Sequence, residues 1–243
     1  MRFLAFAGRN RKELTRDPLS LVFGVGLPVA LLLMMQMLRA GLKHMPADLF
    51  PVESFAPGMA VFALSFLSLF LGNVASQDRS GAFLMRLSAS PMTGVEYLLG
   101  YLLPVLPLAL LQGAAVLGAA LLFGLPLSWR LLPALVSLIP AALFFAGLGL
   151  LLGTLLSGNQ VGGAASVLVQ AAALTGGIWF DLSAMGGAFA EICRALPFYH
   201  AVELAKVALT GGEWAAHLGA VLLYAAGVLA LSAYLFHRKR TMT

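Results

Sequence analysis

Charge is what this chain of 243 residues has least of: 10% of its residues are charged, against 60% hydrophobic. Soluble domains carry about 25% charged residues, so the composition excludes a soluble protein and indicates an integral membrane one. A single cysteine, Cys193, cannot form an internal disulfide. No G-x-x-x-x-G-K-[ST] sequence occurs, so the glycine-rich cradle and lysine that hold nucleotide phosphates are missing. The four histidines, His44, His200, His217 and His237, are scattered and lack metal-ligand spacing. No ionisable residue lies in the middle of a long apolar run, which argues against a proton- or ion-coupled carrier. The net charge of +5 is spread over the edges of those runs rather than along one stripe, so nucleic acid is not an expected partner.

What is present is apolar length. Six segments reach the roughly 20 residues a bilayer requires: Leu19–Leu38, Pro57–Ala75, Tyr97–Phe123, Leu131–Leu156, Val161–Phe180 and Leu218–Phe236. The expected fold is an all-α integral membrane protein, one polytopic domain over residues 1–243 with six transmembrane helices. The third and fourth segments are longer than needed, and Pro104, Pro107, Pro133 and Pro140 predict kinks in them. Ten Lys and Arg residues fall on the side holding both termini and five on the other, where six acids accompany them. The positive-inside rule therefore places both termini in the cytoplasm of a multi-pass cell-membrane protein.

Residues 1–17 read as a basic amphipathic helix lying in the membrane interface. Phe3, Ala7, Asn10 and Leu14 share one side, with Arg2, Arg9, Lys12, Glu13 and Arg16 opposite, and the apolar side is expected in the acyl boundary. A signal peptide is the weaker reading, because the following apolar run is long and lacks a small-residue cleavage site. Between the second and third runs stands Ser76–Leu103. Asp78, Arg79 and Arg86 accompany Phe83, Leu84 and Leu87 at helical spacing, predicting a short amphipathic helix that ends before Pro91. Thr93, three residues before Glu96, is a capping-box pattern that starts a new helix near Gly94. Residues 181–214, too polar to span, predict two short amphipathic helices broken near Pro197.

Arg79, Gly81, Leu87, Ser90-Pro91-Met92 and Tyr97-Leu98-Leu99-Gly100 resemble the cytoplasmic loop of the type-2 permease family of ABC transporters. Leu196-Pro197, His200-Ala201-Val202-Glu203 and Thr210-Gly211-Gly212 resemble that family's segment between its fifth and sixth spans. The resemblance implies that Asp78, Arg79, Phe83, Leu84, Arg86 and Leu87 form a coupling helix seated in the cleft of a separate ATPase subunit. It implies that residues 1–17 are an elbow helix touching that ATPase, with Arg9, Lys12 and Arg16 on its basic face. It further implies two ATPase copies, a second permease copy as homo- or heterodimer, and re-entrant or interfacial helices at the outer mouth. The location implied is the bacterial cytoplasmic membrane. No cofactor is expected on this chain, ATP and Mg belonging to the ATPase.

Leu156-Ser157-Gly158-Asn159-Gln160 looks like the nucleotide-contacting signature of ABC ATPases, but it occupies a four-residue turn between two spans and reads as that turn. Gly149 with Gly153, and Gly158 with Gly162, have the small-xxx-small spacing of close helix packing, within one subunit or, through the fifth span, between two. The polar residues inside spans, Gln36, Asn73, Gln112, Gln170 and Thr175, either touch a substrate or satisfy neighbouring helices. An intramembrane serine hydrolase would need Ser166 and His217 together, yet Ser166 lacks a glycine-flanked motif and His217 stands near the rim. The function expected from the resemblance is the permease subunit of an ATP-driven exporter of an amphiphilic or hydrophobic substrate: a drug, an antibiotic or a lipid-like molecule. The alternatives are a permease for a glycan or ion, and a membrane scaffold without transport.

Overall fold

A computed structural model describes residues 2–18, 22–41, 50–80, 93–180 and 182–241 of the chain. Every regular element among them is helical, as the long apolar runs dictate: in a bilayer the backbone must satisfy its own hydrogen bonds. In chain order these are α1 (Arg2–Arg16), α2 (Val22–Gly41), α3 (Val52–Ser80), α4 (Gly94–Leu121) and α5 (Leu131–Leu155). They are followed by α6 (Gly158–Thr175), α7 (Leu182–Met185), α8 (Gly187–Ala195), α9 (Pro197–Thr210) and α10 (Ala215–Thr241).

Five helices are long and apolar enough to cross a membrane: α2, α3, α4, α5 and α10. The sixth expected span, Val161–Phe180, is replaced by the 18-residue α6 and a turn. Asn159, Gln160, Gln170 and several glycines hold its hydropathy below that of the other five. It nevertheless runs the length of the bundle beside α3. Gly158 at its start lies near Ser76, while Ile178, just past its end, packs on Gly58, 18 positions earlier in α3.

α3 is the central element, buried along nearly its whole length and packed against α5, α6, α4 and α9. Glycine makes the tightest of these crossings possible. A Cβ on Gly149 would stand 2.7 Å from the Ser68 carbonyl, and one on Gly153 would stand 2.5 Å from the Gly72 carbonyl. The Gly149/Gly153 spacing thus serves packing within the subunit, backbone against backbone. Gly162 and Gly163 of α6 face open space.

The boundaries move where helices outlast the apolar run. α3 begins at Val52, with Pro57 inside it, and continues to Ser80, so Asp78 and Arg79 belong to its last turns rather than to a separate short helix. α4 opens as the capping box requires: Thr93 Oγ1 accepts from the Glu96 amide (3.2 Å), and Glu96 Oε2 accepts from the Thr93 amide (2.9 Å). Pro104, Pro107 and Pro140 are accommodated within continuous helices. α8 and α9 meet at Leu196, with Pro197 as the first residue of α9, where its missing N–H leaves no carbonyl unsatisfied.

α2 opens with a π-helical turn, Val22–Gly26. Pro28 cannot donate to the Gly24 carbonyl four residues earlier, and the wider turn carries the ladder around that gap.

Candidate functional site

At the end of the bundle that carries α1, charged side chains from separate elements meet. The face of α1 that is buried holds Phe6, Ala7, Asn10 and Leu14. The amphipathic reading found this face, but it meets protein instead of lipid: α1 lies across the start of α4. Phe6 packs edge-on against Tyr101, ring centroids 4.9 Å apart, and also against Tyr97. Gly100 makes the seat, since a Cβ there would stand 2.1 Å from the edge of the Phe6 ring. Its carbonyl accepts a hydrogen bond from Asn10 Nδ2 at 3.1 Å, which explains why a polar side chain sits fully buried on that face. The Tyr97-Leu98-Leu99-Gly100 motif is therefore the docking surface for α1. Tyr97 also stacks on Phe236 near the end of α10, centroids 3.6 Å apart, so both terminal helices meet at one end of α4.

Asp78 is the centre of this junction. Only 3% exposed, it receives a bidentate pair from Arg9, Nη2 to Oδ1 at 2.6 Å and Nη1 to Oδ2 at 2.9 Å. The Tyr101 hydroxyl donates to Oδ2 at 2.7 Å. Three elements, α1, α3 and α4, are thus held by one carboxylate. A buried carboxylate persists only with such partners, and the planar guanidinium matches its two oxygens. The hydrogen bond to Asp78, more than any other interaction, pushes the Arg9 guanidinium further above its already high pKa.

One residue on, Arg79 donates to the Thr154 carbonyl and, at 2.5 Å, to the Leu156 carbonyl. These are the last carbonyls of α5, where a cation complements the helix dipole. The adjoining turn is a helix start: Gln160 Oε1 accepts from the Ser157 amide (3.1 Å) and hydroxyl (2.9 Å). The residues that looked like a nucleotide signature are spent on joining α5 to α6.

The other candidate residues are placed as follows. Lys12 and Arg16 are exposed, and with Arg9 and Arg11 they line an open hollow of about 760 Å³ along α1 that also includes Glu13 and Asp17. Phe83, Leu84, Arg86 and Leu87, and also His44, lie outside the described residues. Gln36 is buried and donates to the Phe50 carbonyl at 3.0 Å, and Thr175 donates to the Ala171 carbonyl at 2.6 Å. Asn73 is half-buried and Gln170 exposed. Gln112 is fully buried with neither amide atom hydrogen-bonded, against Gly24 of the π turn. Gly24 and Gln36 are about 18 Å apart along α2 at 1.5 Å per residue, so Gln112 and Gln36 do not share a site.

The histidines the sequence left unassigned do meet. His200 Nδ1 and His217 Nδ1 are 2.9 Å apart, joining α9 to the start of α10. The ring centroids are 5.2 Å apart, about that contact plus the two ring radii, so the two nitrogens point at each other. Burial first, and then the charge of His217, lowers the His200 pKa below its usual value. Ser166 is exposed on α6 and donates to the Gly162 carbonyl, so the serine–histidine pairing is absent. Among the described residues no cluster of three metal-ligating side chains occurs.

No curated protein matches the sequence. A family model described as "ABC-2 type transporter" matches residues 1–210, most of the chain and all of the junction around Asp78. With its apolar helices and no nucleotide-binding motif, the chain belongs to the ABC-2 type transporter family and is a multi-pass permease of an ABC transporter.

Proposed function

We propose that this chain is the permease subunit of an ATP-driven exporter. It moves an amphiphilic or hydrophobic substrate out across the cytoplasmic membrane, powered by a separate ATPase. The observation that carries this reading is the Asp78 junction. The segment of residues 81–92 follows α3 two residues after Asp78 and is followed by Thr93, eight residues before Tyr101. A force applied to that segment reaches α1 and α4 through Asp78, and α5 and α6 through Arg79, so five helices respond together. Phe83, Leu84 and Leu87 are the face that enters the ATPase cleft in this reading, and the basic side of α1 flanks it.

In this reading the chain makes six crossings. Both terminal helices meet at one end of α4, which an even number requires, and α6 runs the bundle's length as the sixth. Both termini are then cytoplasmic, and α7, α8 and α9 cap the outer mouth. A second permease copy packs on α6, whose exposed Gly163, Ser166, Val167 and Gln170 form a small, partly polar face. An amide facing hydrocarbon is costly, and a helix neighbour relieves that cost.

The test is Phe83→Ala and Leu87→Asp, read by retention of the ATPase subunit on purification and by transport-linked ATP hydrolysis in membranes. Expression and melting of the permease are the controls. Losing an interface aromatic anchor costs on the order of 2 kcal/mol, so both readouts fall while the fold survives. Wild-type retention and hydrolysis in both variants refute the coupling role.

A further inference from the structure

At the end of the bundle opposite α1, a cavity of about 370 Å³ lies between the start of α3, the turn after α6, and α9. Three rings form one wall. Phe50, Phe55 and Trp179 meet edge to face, with Phe50–Phe55 centroids 5.1 Å apart and Phe55–Trp179 centroids 5.6 Å apart. Phe50 has φ of 53°, the one non-glycine residue with positive φ among the described residues. A bulky side chain adopts that conformation only when its surroundings hold it there, and such strain gathers at ligand clamps. Here the holding group is the buried Gln36 amide on the Phe50 carbonyl.

The opposite wall is an ion pair. Lys206 Nζ donates to Glu203 Oε1 at 2.8 Å and to the Gly177 carbonyl at 3.4 Å, and the two side chains are 20% and 23% exposed. Phe180, half exposed, and Ile178 also line it, with Pro51, Ser54 and Gly177.

We infer that this cavity binds the zwitterionic head of an amphiphile, one that carries an ammonium and a phosphate or other anion a few ångströms apart. Glu203 and Lys206 neutralise each other, so the site offers no net charge to a simple cation or a simple anion. A zwitterion docks antiparallel to the pair, its anion on Lys206 and its ammonium on Glu203. The π faces of the aromatic wall add to the cationic side, since an ammonium within about 6 Å of a ring centroid is attracted to it. The apolar part of the ligand leaves past Ile178 and Phe180 toward the hydrocarbon. Two sources supply this chemistry: a bilayer phospholipid, or a soluble amphiphile of the same head type. The inference stands independently of the coupling reading, because it uses none of its residues.

The experiment uses the full chain in detergent with Trp129→Phe and Trp214→Phe. Both positions are exposed, and the change leaves Trp179 as the reporter. Short-chain phosphatidylethanolamine gives a saturable change in emission. Short-chain phosphatidylglycerol and an alkylamine bind at least tenfold more weakly. Phe180→Ala, on the surface of the site, and Lys206→Gln each weaken phosphatidylethanolamine tenfold, with melting of each variant as the fold control. To separate the sources, a soluble sulfobetaine is titrated in nanodiscs of phosphatidylethanolamine and of phosphatidylglycerol. Weaker binding in the former marks a resident lipid, and equal binding marks a soluble ligand; both support the site. Equal affinity for the zwitterionic and anionic lipids, or a response that never saturates, overturns it.

Discussion

Removing Arg9 distinguishes a clamp from a surface ion pair. Asp78 is 3% exposed and, among the described residues, keeps the Tyr101 hydroxyl when the guanidinium is gone. Breaking a buried pair by deleting one partner costs about 3–5 kcal/mol, because a charge is left buried without compensation. Arg9 is itself 35% exposed, so solvent screens part of the interaction, and about 2–3 kcal/mol is the expected cost of Arg9→Ala. Asp78→Asn removes the buried charge along with the pair, frees Arg9 to turn to Glu13, and costs about 1 kcal/mol. The double variant then resembles Asp78→Asn alone rather than the sum, a coupling of about 2–3 kcal/mol.

The measurement is amide hydrogen exchange of α1 in nanodiscs, since undocking of this helix is a local opening and need not unfold the bundle. A loss of about 2.8 kcal/mol raises the open population about 100-fold. Additive single-variant effects, or an Arg9→Ala effect below about 0.5 kcal/mol, would refute the clamp and leave an ordinary surface pair.

Three further outcomes follow from the packing and the titrating groups. A Cβ at residue 24 would stand 2.5 Å from Gln112 Nε2 and 2.8 Å from Phe70, so Gly24→Ala costs about 1–3 kcal/mol in thermal or denaturant melting. Adding Gln112→Ala relieves the Gln112 contact and leaves the one with Phe70, so it recovers part of that loss; no recovery would mean the clash is elsewhere. Gly153→Ala, whose Cβ meets the Gly72 carbonyl at 2.5 Å, lowers the melting temperature sharply, whereas Gly162→Ala, in open space, leaves it unchanged; equal effects would contradict the α3–α5 crossing. The lowered pKa of His200 means the unfolded chain takes up a proton first on acidification. Its contribution is therefore present above about pH 6.5 and lost as the pH falls from there through the lower folded value. Wild type loses stability over that window relative to His200→Gln, while parallel curves would show that the His200–His217 contact carries no pH dependence.

The sequence by itself determined whatever depends on neighbours a few residues away. Apolar length placed five of the six expected spans, the Thr93–Glu96 pair started α4, and the 3.6-residue period found the face of α1 with Ala7, Asn10 and Leu14. The Gly149/Gly153 spacing announced a close crossing. Tertiary structure decided what those faces meet. Nothing local distinguishes a helix face resting on lipid from one resting on Phe6's seat at Gly100, because both are apolar. The resemblance put Asp78 and Arg79 in a coupling helix, and nothing near them in the sequence announced the partners they have in the fold. Arg9, 69 positions earlier, and Tyr101, 23 later, make the buried carboxylate tolerable, and the carbonyls ending α5 take up Arg79. The same holds for the cavity lined by Phe50, Trp179 and Lys206 and for the His200–His217 contact. Burial turns charge and aromaticity into sites, and burial depends on residues that only the folded chain brings together.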